Sequence, residues 1–245
     1  PNILTVKPRF LMAELHRNTG QVEDGAHVRD TRPVQIGGDF TILPYSALPQ
    51  GKNPINDFIP VARITDLLTQ PGQTVKFDGQ TLTYPEIKMM YWAGGNPFHH
   101  HQDLGRLRKA WEKPSTVVVN EWCWNALARH ADIILPCTTT LERQDIGMTP
   151  RDPFVISMDK AIEPVGEAKN DYDIFAGIAR RMNTEDSFTE GRSAEDWQKW
   201  IWEQSCERAE KLNVHMPDYE SFREAGFYKS PDLKEDRIFL SDFFE

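Results

Sequence analysis

Residues 87–97 read Ile87-Lys88-Met89-Met90-Tyr91-Trp92-Ala93-Gly94-Gly95-Asn96-Pro97. A short apolar run, Ile87 to Ala93, is stopped by two glycines, an asparagine and a proline, which is the pattern of a buried strand entering a turn. Downstream, Gln102 to Trp111 predicts a helix with Leu104, Leu107 and Trp111 on one face. Thr116 to Val119 predicts a second buried strand, Trp124 to His130 a helical segment, and Ala131 to Leu135 a third strand stopped by Pro136. Strand, helix, strand, helix, strand at this spacing means a parallel sheet with right-handed crossovers. The expected fold class is α/β: a parallel sheet flanked by helices.

Moving outward, residues 1–60 read as an irregular N-terminal segment. Pro8, Pro33, Pro44, Pro49, Pro54 and Pro60 interrupt any long element there, although one helix fits Phe10 to Asn18. Pro60 to Leu68 predicts a helix with Val61, Ile64, Leu67 and Leu68 on its apolar side. A hairpin follows, Thr74 to Phe77 and Thr81 to Tyr84 around Asp78-Gly79. The last third reads as mostly helical. Helices are expected over Tyr172 to Met182, over Ser193 to Leu212 behind the capping pattern Ser193-Ala194-Glu195-Asp196, and over Asp218 to Ala225 with Gly226 as the stop. In the second of these, Trp197, Trp200, Ile201 and Cys206 are expected to face inward.

The chain has 245 residues, 39% of them hydrophobic and 27% charged, enough for a sizeable core in one or two domains. No apolar run is long enough to span a membrane. With 28 Lys and Arg against 37 Asp and Glu, the formal charge is -9, and no sustained basic run points to nucleic acid. The three cysteines, Cys123, Cys137 and Cys206, form no CxxC pair and indicate neither a disulfide framework nor a zinc ribbon. The chain opens at Pro1 and closes on Asp242-Phe243-Phe244-Glu245 beside an apolar stretch. It reads as an internal piece of a longer polypeptide.

Open parallel sheets bind ligands at the carboxyl ends of their strands. At the first such end, Gly94-Gly95-Asn96-Pro97 lets backbone approach a phosphate, and the following helix is expected to offer free N–H groups and a positive dipole end. The alternative is a plain strand-to-helix turn, and GxGxxG is absent. Glu121 follows the next strand, roughly 25 residues past the glycines, where a carboxylate can accept from ribose hydroxyls. The alternative is a solvated loop acid. His99-His100-His101 point in different directions, so no metal site is expected; one imidazole is better placed to donate to a phosphate or carbonyl. After the third strand, Thr138-Thr139-Thr140 and Arg143 gather, and Arg143 could fork onto a diphosphate or pair with Asp145. Asp171 or Asp173 could cap the helix that follows. A fixed carboxylate also matches two adjacent donors of guanine, the ring N–H and the exocyclic amino group.

The stretch Tyr91 to Asp103 (Tyr-Trp-Ala-Gly-Gly-Asn-Pro-Phe-His-His-His-Gln-Asp) resembles the molybdopterin oxidoreductases of the dimethyl sulfoxide reductase family, within the biotin sulfoxide / trimethylamine N-oxide reductase branch. The likeness continues through Ala128 to Pro136, Thr138 to Arg143, Glu163 to Ala168 and Asp171 to Phe175. Leu48 to Gly51 and Asp57 to Arg63 fit as well. Glu121 stands where the family often has Asp, Cys137 where Ala is usual, and Gln144 where Asn is usual.

The resemblance implies that residues 61–185 are a Rossmann-like domain binding molybdopterin guanine dinucleotide, with residues 186–245 a helical tail packing on it. Carried over, Gly95, Asn96 and His100 would meet the dinucleotide at the glycine turn, Asn120 and Glu121 would hold the nucleoside, Arg143 would contact the cofactor, and Asp171 would read the guanine. The implied cofactor is molybdenum bis(molybdopterin guanine dinucleotide), with the serine that ligates molybdenum upstream of the matched region and a further cofactor-binding domain after Glu245. The implied parent removes oxygen from an S-oxide or N-oxide such as biotin sulfoxide, methionine sulfoxide, dimethyl sulfoxide or trimethylamine N-oxide. Two electrons from a donor protein or reductant and two protons release water. The resemblance assigns no catalytic residue here, leaves the compartment open between periplasm and cytoplasm, and implies that this segment alone is inactive. Two alternatives stand beside it: a guanine-nucleotide-binding module without catalysis, and an NAD-type dehydrogenase domain, which the missing GxGxxG and Pro97 disfavour.

Overall fold

The computed structural model describes residues 43, 45–49, 59–77, 79–148 and 152–232. The helix expected over Phe10 to Asn18, most of the irregular N-terminal segment and Asp78 of the hairpin turn lie outside the described residues. The chain divides into two compact units. The described residues from 59 to 138 and from 165 to 174 form the first.

In the first unit a turn of 3-10 helix, Val61–Arg63, leads into helix α1 (Ile64–Thr69). Ile64, Leu67 and Leu68 are buried, while Val61, expected on the same face, is exposed because it precedes the α-helical turn. The antiparallel hairpin forms as the sequence indicates, β1 (Thr74–Phe77) against β2 (Gln80–Thr83). Then come β3 (Met89–Ala93), the short α2 (Pro97–His100), α3 (Leu104–Trp111), β4 (Thr116–Glu121) and β5 (Ile133–Pro136). The three strands form one parallel sheet in the order β3-β4-β5.

Three consecutive β-branched valines, Val117, Val118 and Val119, fill the central strand and are all buried. The flanking strands were expected to be buried too, yet β3 and β5 are half-buried or exposed along their length. Each pairs on one side only, so each lacks the cover that β4 receives from both neighbours. Ile64, Phe98, Leu107, Trp111, Val119 and Leu127 build the core against one face of the sheet. Leu104, expected on the apolar face of its helix, is exposed. The helix expected over Trp124 to His130 shrinks to a single 3-10 turn, Ala128–His130. The Asn125 side chain accepts from the Ala128 N–H at 3.0 Å, and Ala131 is already extended, so no room for a further turn remains. Beyond β5, Cys137 bridges Lys169 in parallel, which brings the start of α4 (Asp171–Arg181) to the carboxyl edge of the sheet. The residues of α4 from Phe175 onward belong to the second unit.

That second unit holds an antiparallel sheet, β6 (Asp145–Met148), β7 (Phe154–Met158) and β8 (Phe227–Lys229), which the sequence reading missed. Its helices are α5 (Glu185–Thr189), α6 (Ala194–Glu210) and α7 (Tyr219–Ala225). The capping pattern at Ser193 is a reciprocal box: Ser193 Oγ accepts from the Asp196 N–H, and the Asp196 carboxylate accepts from the Ser193 N–H. Gly226, at φ 78°, ends α7 as expected. In α6 the inward face differs in part from expectation. Trp197 is buried, but Trp202 takes the centre, stacked on Phe222 at 3.7 Å between ring centroids, while Trp200, Ile201 and Cys206 are half-buried. Among the described residues no helix is long and apolar enough to cross a membrane.

Candidate functional site

The register of the parallel sheet sets the site. Ala93 pairs with Asn120 and Glu121 with Pro136, so Gly94-Gly95-Asn96, Asn120-Glu121 and Cys137-Thr138 emerge at one edge. Gly94 and Gly95 sit at φ 81° and 70°, a left-handed backbone that other residues adopt at a cost. The Trp92 indole N–H donates to the Gly95 carbonyl at 3.1 Å and holds the turn against β3.

Asn96 follows as the cap of α2, its Oδ1 accepting from the Phe98 N–H at 3.0 Å. The expectation of free N–H groups on a helix at this turn needs correction. Pro97 has no N–H, Phe98 is capped by Asn96, and the His99 N–H bonds the Asn96 carbonyl at 3.0 Å. Four residues also make too little helix for a useful dipole. The polar groups offered here are side chains. Asn96 Nδ2 is buried with no hydrogen-bond partner, a rare condition for a native amide. His99 and His100 are exposed; His101 is half-buried, and burial first, then the neighbouring His100, hold its imidazole below the ordinary 6.5. Among the described residues no group of three or more His, Cys, Asp or Glu could hold a metal ion.

Alternation along β3 and β4 divides their side chains between the two faces. Val117, Val119 and Trp92 face the hydrophobic core, while Tyr91, Val118 and Asn120 face the opposite side. There a directed hydrogen-bond chain forms. The Tyr91 hydroxyl donates to Asn120 Oδ1 at 2.7 Å, and Asn120 Nδ2 donates to Asp171 Oδ1 at 2.8 Å. Asp171 is held from below as well: the Lys169 N–H bonds the Pro136 carbonyl, the Thr138 N–H bonds the Lys169 carbonyl, both at 3.1 Å, and the Thr138 hydroxyl donates to Asn170 Oδ1 at 2.8 Å. Asp171 thus lies inside the first turn of α4 with its carboxylate turned to Asn120. Glu121 is only 8% exposed, and its carboxylate has no hydrogen-bond or ion-pair partner among the described residues.

Of the residues expected from sequence, Gly95, Asn96, His100, Asn120, Glu121 and Asp171 all belong to the first unit. Arg143 belongs to the second, where its Nε donates to Asp145 Oδ2 at 3.0 Å, the ion pair weighed against anion binding. Thr139 is engaged locally too, its N–H and hydroxyl both donating to the buried Glu142 carboxylate at 2.7 and 2.8 Å. Tyr91, which opens this hydrogen-bond chain, is not singled out by the sequence reading. Its signal was a hydroxyl-bearing side chain two positions before the strand end, on the face that Asn120 shares.

The first unit is thus an α/β domain whose sheet edge carries a buried amide donor without a partner and two carboxylates, one of them oriented by Asn120. Groups of this kind are the complements of phosphoryl oxygens, ribose hydroxyls and a donor-bearing base. Residues 9–181 match the family model described as molybdopterin oxidoreductase. Biotin sulfoxide reductase of Cereibacter sphaeroides is 41% identical over 211 residues, covering 86% of this chain and 28% of that protein. The dimethyl sulfoxide/trimethylamine N-oxide reductase of the same organism is 44% identical over 194 residues, 74% of this chain and 24% of that protein. The trimethylamine-N-oxide reductase of Haemophilus influenzae is 44% identical over 165 residues, 66% of this chain and 20% of that protein.

The chain belongs to the molybdopterin oxidoreductase family. It spans between 20% and 28% of the length of these relatives. Membership implies a molybdenum–molybdopterin cofactor.

Proposed function

We propose that this chain is the Rossmann-like, guanine-dinucleotide-binding part of a molybdenum reductase of S-oxides or N-oxides. The observation that carries the reading is the Asp171 carboxylate, oriented by Asn120, at the parallel-sheet edge that also carries the buried, unpartnered Asn96 Nδ2 and the strand-end Glu121. Relatives named for biotin sulfoxide, dimethyl sulfoxide and trimethylamine N-oxide support the substrate class.

In this assignment Gly94 and Gly95 give close backbone approach to the diphosphate, and Asn96 Nδ2 donates to a phosphoryl oxygen. The exposed His100 adds a second donor. Asn120 and Glu121 hold the nucleoside, Glu121 accepting from ribose hydroxyls, and Asp171 accepts from the guanine N1–H and 2-amino group. The family resemblance of the sequence, and not this edge, is what points to a pair of such dinucleotides on one molybdenum. When bound, the molybdenum centre supplies two-electron oxygen-atom transfer. This chain's contribution is to bind and orient the cofactor.

A calorimetric titration of the full chain tests the reading. GMP and GDP are expected to bind more tightly than AMP or NAD, and Asp171→Ala is expected to erase that preference. Equal affinity for guanine and adenine nucleotides in the unsubstituted chain would contradict it.

A further inference from the structure

We infer that Tyr91 is a positioning residue: its hydroxyl locks the Asn120 amide with Nδ2 toward Asp171, and so fixes the carboxylate edge that discriminates guanine. The inference rests on the proposed guanine reading and extends it to a residue that acts through Asn120.

The protons in this chain have one consistent arrangement. An ionised carboxylate only accepts, so the amide group facing Asp171 must be the donor Nδ2. That leaves Oδ1, an acceptor, for Tyr91, whose hydroxyl must then donate. Asn120 is only 4% exposed, so bulk water is poorly placed to substitute for the missing partner. Remove the phenolic donor and one bond that opposes an amide flip is gone. A full flip would set Oδ1 against the Asp171 carboxylate, oxygen against oxygen, so Nδ2 stays toward Asp171, but an amide held at one end only turns more freely. The carboxylate's anchor then loosens and the spread of its side-chain torsions widens. A guanine fork needs both carboxylate oxygens in one plane at one angle, whereas adenine makes no such demand, so the loss falls on guanine selectively.

The backbone under Asp171 is held independently through Lys169, Thr138 and Asn170, so the lock acts on the side chain rather than on the helix start. Tyr91 also remains a donor throughout the neutral range. Burial, reinforced by the Asp171 charge and opposed by the Asn120 bond, pushes its hydroxyl up to about 12.

The test compares GMP and AMP affinities of the full chain, by calorimetry at neutral pH, for the unsubstituted protein, Tyr91→Phe, Asp171→Ala and the double variant. The expected result is a roughly tenfold fall in GMP affinity for Tyr91→Phe with AMP unchanged, and no further loss when Tyr91→Phe is added to Asp171→Ala. 4-Aminophenylalanine at position 91, which keeps a donor, is expected to restore the GMP-to-AMP ratio. If Tyr91→Phe fails to fold, that donor-bearing variant decides alone: a ratio like the unsubstituted protein's supports the lock, and a lost ratio in a folded chain overturns it. An unchanged ratio in Tyr91→Phe, or an equal fall for both nucleotides, also overturns it while leaving the guanine reading intact. Absence of any guanine preference in the unsubstituted chain overturns both.

Discussion

Glu121 and Asp132 are both acids beside strands of one sheet, and they do opposite work. The Asp132 carboxylate accepts from the Val117 N–H at 2.7 Å and completes the ladder of β4. The Glu121 side chain has no hydrogen-bond or ion-pair partner among the described residues, so the fold draws no bond from its charge. Glu121→Gln keeps the shape and removes the charge. Its thermal midpoint is expected to equal or exceed that of the unsubstituted chain, while GMP affinity falls about fivefold as a charge-assisted acceptor becomes a neutral one. A lower midpoint together with unchanged GMP binding would make Glu121 structural. Both acids are visible in the sequence as strand-end residues, but nothing in the letters separates the paired one from the unpaired one. That distinction is made by Val117, which lies in a neighbouring register.

At the scale of elements, what could be read from sequence tracks how local the stabilising contacts are. The hairpin, α3, β4 and the ends of α6 and α7 depend on neighbours a few residues away, through a turn, an apolar stripe, the box at Ser193 and the φ of Gly226. The antiparallel sheet of the second unit depends on pairing Ile156 with Phe227, far apart in the chain, and its short strands carry little pattern of their own. The inward face of α6 was misread for the same reason. Three tryptophans, Trp197, Trp200 and Trp202, compete for the core, and distant partners decide. Trp202 stacks on Phe222 and donates its indole N–H to the Pro217 carbonyl at 2.9 Å. Trp202→Ala is accordingly expected to lower the unfolding free energy by about 3–5 kcal/mol in denaturant titrations. A loss below about 1 kcal/mol would show that the stacking carries no such share of the core.

For the molecule as a whole, a formal charge of -9 repels a nucleotide at long range, so recognition must come from short-range complementarity rather than from a basic field. The residues alone marked Asn96, Glu121 and Asp171 as separate strand-end or helix-start positions, Asn120 came only with the family resemblance, and the parallel register with the Cys137–Lys169 bridge supplies the order in which they meet the edge. The letters held no hint that the turn after β3 offers side chains instead of helix N–H groups, because the capping of Phe98 by Asn96 depends on the fold of four residues. The central claim is that the Asp171 carboxylate at this edge reads a guanine. The most direct measurement is the affinity series GMP, IMP and AMP on the full chain: IMP lacks only the 2-amino donor, and AMP lacks both donors and turns a lone pair toward the acid. GMP is expected to bind more tightly than IMP by about tenfold or more, the loss of one hydrogen bond to a charged acceptor, with AMP weakest. Indistinguishable affinities for the three would contradict it.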